Sequence, residues 1–269
     1  AIQNSRGGDM VTENESSCQV TVHLTAAGPP AWTGEVVGPP RLFVLKTVNV
    51  VAAGKTVVVL DKTNKKLWQT TLTYDLPDGD SSTFGAGPCV EHGQTLYVFD
   101  QTVLGAFDLT TGNARWRLPS VGIRGLFFDD HNDVYVNTTT ANPDQVKYSR
   151  QIDISRKTED VVCKIDAATG KILWRSQPGG DITYLSGKYI YVEQANDPDP
   201  DDTQADDGND LTSGLQGQPF LRLKRLRPSD GHIVWDYEEA RAPFDIAYHQ
   251  NSIVLVFKKE VHVLHYLSF

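Results

Sequence analysis

The apolar residues of this chain lie in short runs that stop at an acidic residue and a turn. "KIDAATGKILW", Lys164 to Trp174, shows the pattern: an apolar stretch breaks at Asp166, turns at Thr169-Gly170 and resumes to end on Trp174. It predicts a β-hairpin. The Asp side chain accepts hydrogen bonds from the turn amides, and Gly supplies the positive φ of a tight turn. Further strand-like runs lie upstream, "GIRGLFFDD" and "NDVYVNTT" before Lys164, "DITYLSG" and "KYIYVEQ" before Arg225. At the N-terminal side "CQVTVHL", Cys18 to Leu24, alternates with Val20, Val22 and Leu24 on one face, a strand signature.

The hairpin recurs. "AFDLTTGNARW", Ala106 to Trp116, matches position for position: Asp108, then Thr111, Gly112 and Trp116. "RLRPSDGHIVW", Arg225 to Trp235, keeps Gly231 and Trp235 but has Arg227 at the Asp position. "VLDKTNKKLW", Val59 to Trp68, begins its turn at Asp61 and is one residue shorter, with Asn64 in the turn. A single hairpin cannot bury an indole, so Trp68, Trp116, Trp174 and Trp235 imply packing between successive repeats. The expected fold is all-β, a β-propeller of four-stranded antiparallel blades, about five of them in this chain. Trp-to-Trp intervals of 48, 58 and 61 residues exceed a compact blade, which places loop insertions near 139–160 and 195–219. Residues 1–17 read as a polar tail or linker and 18–269 as the propeller domain.

The pattern D-x-x-T-G-x-x-x-W behind "VYV"-type strands resembles the PQQ-like propeller repeat. That repeat occurs in pyrroloquinoline quinone dehydrogenases and in non-catalytic relatives such as the outer-membrane barrel-assembly lipoprotein. The likeness covers roughly Arg41 to Phe269 and is specific for the repeat rather than for an activity, because the repeated residues carry packing and not chemistry. Such propellers have seven or eight blades. The resemblance therefore implies further blades, from a preceding segment or a partner chain. Closure within this chain is the alternative: the Cys18 to Leu24 strand would pair with the Glu260 to Tyr266 strand, and "AWTGEVV", Ala31 to Val37, would open the next blade. Catalytic members resemble one another in adjacent cysteines and clustered calcium ligands. Cys18, Cys89 and Cys163 are far apart, so the chain stands closer to the non-catalytic members.

Charge and motifs narrow the function further. The formal charge of -9 argues against a broad phosphate-binding surface, so nucleic acid is not an expected partner. No apolar run reaches the roughly 18–20 residues of a membrane span. From Asp197 to Asp210 the chain holds seven Asp and no basic residue, all but two of its net negative charges. The segment reads as a solvated insertion; calcium on Asp197, Asp199 and Asp201 is the rival reading, although Asp202 and Gly208 break the EF-type pattern. "VHVLHYL" sets His262 and His265 three apart, which in a strand points them to opposite faces. "FFDDHNDVYV" around Asp129 and Asp130 reads as a polar turn. "LRLKRLRP", with Arg222, Lys224, Arg225 and Arg227, reads as a strand whose exposed basic side chains pair loosely with acids. No nucleophile elbow, Walker loop, HExxH or dinucleotide fingerprint occurs.

The expectation is a non-catalytic binding or scaffold module that assembles with protein partners in a bacterial-type exported compartment: periplasmic, cell-envelope or secreted. No cofactor is expected, calcium at the acidic loop being the exception. Two rivals are an enzyme, either an oxidoreductase using pyrroloquinoline quinone and calcium with ligands outside this chain or a hydrolase with its site in loops, and a structural subunit of a larger extracellular or envelope complex. The structural repeat residues are Trp68, Trp116, Trp174, Trp235, Asp61, Asp108, Asp166, Gly112, Gly170 and Gly231.

Overall fold

A strand covered on both faces is buried along its length, whereas one at a sheet's margin alternates, and both patterns recur in the four-stranded sheets here. The computed structural model describes residues 2–5, 17–23, 30–77, 87–100, 102–141, 159–177, 179–186, 188–195, 220–249 and 252–265. Among the described residues all regular elements are strands, and no helix is long and apolar enough to cross a membrane.

Six antiparallel sheets follow one another in chain order. The first holds β1 (Ile2–Ser5), β2 (Ser17–His23) and β3 (Pro30–Val37). The second holds β4 (Arg41–Val44), β5 (Asn49–Ala53), β6 (Thr56–Leu60) and β7 (Lys66–Thr71). In the third lie β8 (Cys89–His92), β9 (Thr95–Phe99), β10 (Val103–Asp108) and β11 (Ala114–Pro119). The fourth is β12 (Gly125–Phe128), β13 (Val134–Thr139), β14 (Asp160–Ile165) and β15 (Ile172–Arg175). The fifth is β16 (Asp181–Ser186), β17 (Tyr189–Ala195), β18 (Leu221–Leu226) and β19 (Ile233–Glu239). The sixth is β20 (Asp245–His249), β21 (Ser252–Val256) and β22 (Val261–His265).

Each core lies between sheets. Val50, Val57 and Trp68 of the second sheet pack on Leu96, Val98 and Phe107 of the third, and Tyr135, Val162 and Trp174 of the fourth on Ile182, Ile190 and Leu226 of the fifth. This is the blade arrangement of a propeller, so β9 and β13 are buried along their whole length, while β7 and β11 alternate.

The first sheet departs from the sequence reading. Ile2–Ser5, inside the stretch read as a tail, pairs with β2, and β2 pairs on its other edge with β3. The Cys18 to Leu24 strand therefore does not pair with the C-terminal strand, and Ala31 to Val37 completes the first sheet rather than opening the next. Among the described residues no backbone pairing joins the first and sixth sheets. The physical reason is the face that β2 buries: Val20 and Val22 pack with Val36 against Val51, Ala53, Val58 and Leu60 of the second sheet. Alternation fixed the apolar face but left the partner strand open.

Candidate functional site

The repeated residues are used up in docking one sheet on the next. A β-carbon built on Gly112 would lie 2.5 Å from Trp68, on Gly170 2.5 Å from Trp116, and on Gly231 2.5 Å from Trp174. Each indole thus lies on the turn glycine of the following sheet. Its Nε1 donates to a carbonyl of the same turn: Leu109 for Trp68, Ala167 for Trp116 and Pro228 for Trp174, each at 2.9 Å. Glycine serves twice here, since all three also have φ near +70°. Trp235 is half-buried in the core between the fifth and sixth sheets, its ring stacked on Tyr237.

The aspartates hold the turns. Asp108 Oδ1 accepts the amides of Thr110 and Thr111 and the Thr111 hydroxyl, at 3.0–3.1 Å, and Asp166 Oδ1 does the same with Ala168 and Thr169. The Thr111 amide, followed by Arg115 and the Thr111 hydroxyl, brings the Asp108 carboxyl down to about 2. Asp61 accepts from Thr63 and Lys65, and Asn64 adopts φ 63° in the shorter turn. Where Arg227 replaces Asp, the Gly231 amide still bonds the Arg227 carbonyl, and Asp230 takes over the capping by accepting from His232.

The remaining motifs resolve as follows. Asp129 accepts from the amides of His131 and Asp133 and from the Tyr135 hydroxyl, a polar turn. His262 is half-buried beside Glu239 and Glu260 while His265 is exposed, on opposite faces of β22. The basic strand differs from its reading. Arg222 pairs with Asp236 at 2.7 Å, but Lys224 and Arg225 are buried, because β18 has paired neighbours on both edges and packed sheets on both faces; Arg225 lies over the Tyr189 ring. Cys89 and Cys163 are buried free thiols, with burial pushing Cys89 up to about 12. Asp197, Asp199 and Asp201 lie outside the described residues, and among the described residues no three His, Cys, Asp or Glu side chains converge on a metal position.

Sequence reasoning missed the polar groups that sit between sheets. At the fourth–fifth junction Asn137 is buried in β13. Its Oδ1 accepts the Ile182 amide at 2.8 Å and its Nδ2 donates to the Ile182 carbonyl at 3.3 Å, so one side chain satisfies both backbone groups of a residue in the next sheet. Beside it Arg124 donates to Asp181 at 2.6 Å and to Asp160 at 2.7 Å. Arg124 and Asp181 are largely shielded, with side-chain exposures of 28% and 16%.

At the fifth–sixth junction a cleft of about 380 Å³ opens instead, between β16, β17 and β20. Its polar groups are Glu193, Tyr248, Asp245 and Thr183, and its apolar wall includes Phe220, Leu221 and Phe244. Glu193 accepts from the Tyr248 hydroxyl at 2.9 Å, and burial raises its carboxyl above the ordinary glutamate value. Thr183 is the extra residue of a bulge in β16, where pairing passes from Ile182↔Val192 to Tyr184↔Tyr191. Its hydroxyl is shut off from solvent and has no hydrogen-bond partner among the described residues. Bulges commonly mark places where a sheet re-aims a side chain for binding. The half-buried carboxylate, the aromatic rim and the concavity together suit recognition of a polar group on an apolar stem. Alignment of "VYVNT" with "IYVEQ" places Asn137 and Glu193 at one repeat position, and that substitution marks the cleft in the sequence.

Solved structures similar to this chain include BamB from Moraxella catarrhalis, 14% identical, covering 98% of this chain and 82% of that one with a TM-score of 0.44. Quinohemoprotein alcohol dehydrogenase from Comamonas testosteroni is 15% identical over 88% of this chain, TM-score 0.42, and the match spans 41% of that protein. Kluyveromyces lactis Hsv2 is 9% identical over 93% of this chain and 68% of its own, TM-score 0.45. Comparison with the curated proteins finds no match. The family model of the outer membrane protein assembly factor BamB matches residues 19–237, the stretch that carries all four Trp-bearing hairpins. The chain therefore belongs to the BamB family of PQQ-like repeat propellers.

Proposed function

We propose that this protein is a non-catalytic propeller scaffold that holds protein partners in the cell envelope. The observation that carries the reading is the sixth sheet. Val256 and Val261 share one register row and Ala247, Val254 and Val263 another, so these side chains lie on one face of the sheet. On that face Val261 is 56% exposed and Val263 46%. An apolar sheet face of this kind calls for a protein surface to cover it. Family membership supports the same reading, since the family is named for outer membrane protein assembly. The recurring Asp, Gly and Trp are engaged in turn and sheet packing, which leaves binding to the residues that differ between blades.

Two measurements test this. Titration with pyrroloquinoline quinone plus calcium is expected to show no saturable binding; one equivalent bound would replace the scaffold with a quinoprotein. Photo-cross-linkers placed at Val261 and Val263 in the native cell should yield discrete protein adducts that a cross-linker at exposed Ser229 does not. Equal labelling at all three positions would remove the assigned face.

A further inference from the structure

We propose that the cleft between the fifth and sixth sheets receives an arginine side chain from a protein partner, its guanidinium lying between Glu193 and Asp245 as Arg124 lies among acids one junction earlier. This rests on the scaffold reading and names the chemistry of one of its contacts.

Strand register makes the two junctions comparable position by position. Gly125 pairs with Asn137, Asp181 with Glu193, and Asp245 with Val256, which aligns the starts of β12, β16 and β20. Asp245 of the sixth sheet thus corresponds to Asp181 of the fifth, and Glu193 to Asn137. The residue before β12 is Arg124; the residue before β16 is Gly180. The acid of the next sheet is kept at the second junction while the cation that neutralises it is gone. Among the described residues neither Glu193 nor Asp245 has an ion-pair partner.

The chain cannot supply that cation from the matching position. Gly180 has φ +114°, and a β-carbon there would overlap the carbonyl oxygen of Glu193, so no residue with a side chain fits. The second acid that Arg124 bonds, Asp160, pairs with Thr139; at the fifth sheet the corresponding residue, opposite Ala195, is Leu221. The space an internal arginine would fill is therefore lined by Leu221 and by Phe220 and Phe244, the last 75% exposed. Such walls suit the aliphatic stem of an incoming arginine and the face of its guanidinium. Two carboxylates approached from one mouth favour a planar, multi-donor cation over the point charge of lysine. The volume of about 380 Å³ falls within the range of small-ligand sites and leaves room for the stem.

The test titrates three blocked pentapeptides, Gly-Gly-X-Gly-Gly with X as arginine, lysine or citrulline, into isotope-labelled full chain by NMR. The arginine peptide should shift the amides of Thr183, Glu193 and Ile246, and citrulline, isosteric but uncharged, should bind at least about tenfold more weakly. Glu193→Gln and Asp245→Asn should each weaken the arginine peptide several-fold, and the pair should abolish the shifts at a melting temperature no lower than the parent's. Asp245 is exposed, so its substitution leaves folding intact. Equal binding of arginine and citrulline, shifts mapping elsewhere, or an undiminished response in the double variant would each overturn the proposal. The scaffold reading fails on a different readout, quinone binding, which these substitutions do not touch.

Discussion

The fourth–fifth and fifth–sixth junctions are built on one plan and differ in how they treat polar groups. At the first, Asn137 ties down both backbone groups of Ile182, Arg124 pairs with Asp181 and Asp160, and Trp174 lies on Gly231. At the second, Glu193 replaces Asn137, Gly180 replaces Arg124, and a bulge at Thr183 disrupts the ladder. One junction satisfies its polar groups internally. The other leaves two carboxylates at a concavity. A propeller can vary single positions in this way because the Trp-Gly docking, repeated at three junctions, holds the sheets together without them.

The largest effect expected from breaking this comparison is at the docking itself. Trp174→Ala removes a ring packed between sheets and the bond to Pro228, and should cost about 3–5 kcal/mol in a urea melt. Gly231→Ala should act on the same contact from the other side, through both the positive φ and the overlap with the indole. A loss below about 1 kcal/mol for Trp174→Ala would mean that the repeat tryptophans do not hold the sheets. Next comes Asn137→Leu, which leaves the Ile182 amide and carbonyl buried without partners. It should cost about 2–4 kcal/mol, since each orphaned backbone group costs roughly 1–3. Glu193→Leu, at the matching position, should cost much less, because Glu193 bonds a tyrosine hydroxyl that can turn to solvent. Equal losses would erase the distinction between the two junctions.

Arg124→Met ranks third. It leaves Asp181 shielded beside Asp160 with no cation, and a loss of about 2 kcal/mol is expected, below the 3–5 of a fully buried pair because Asp160 is 43% exposed. The companion Asp181→Asn should recover part of that loss in the double variant, by removing one of the two facing negative charges. If the two single losses simply add, the pair is not coupled.

The repeat was legible in the sequence because it is periodic. Asp108, Gly112 and Trp116 recur at fixed spacing as Asp166, Gly170 and Trp174, and a period reports structure without any knowledge of what touches what. The junction chemistry is not periodic. Arg124 meets Asp181 across 57 residues and Glu193 meets Tyr248 across 55, contacts set by register and by a bulge that has no sequence mark. The first sheet was missed for a related reason. It lacks the Asp-Thr-Gly turn, so Ser17–His23 was recognised as a strand but assigned to the wrong partner. Lys224 and Arg225 were read as surface residues from their charge, although the paired edges of β18 bury their stems.

The smallest expected effect sharpens the comparison through pH. Burial holds the Glu193 carboxyl above its ordinary value near 4.5, opposed by the Tyr248 hydroxyl, and the other titratable group facing the cleft, Asp245, is also an acid. A folded value above the unfolded one means that the folded state binds the proton more tightly. The resulting stabilisation is complete below the ordinary glutamate value and is lost as pH rises from there through the raised folded value. Glu193→Gln keeps an oxygen acceptor for Tyr248 and has nothing to ionise. Its melting temperature should therefore match the parent at acid pH, move above it across that window and hold a constant lead at neutral pH. The same comparison repeated with the arginine pentapeptide should shrink the lead, because a guanidinium in the cleft stabilises the ionised parent and not the amide. A difference in melting temperature that stays the same from acid to neutral pH would show that Glu193 is fully hydrated, and that the fifth–sixth junction does not shield the carboxylate on which its contrast with the Asn137 junction depends.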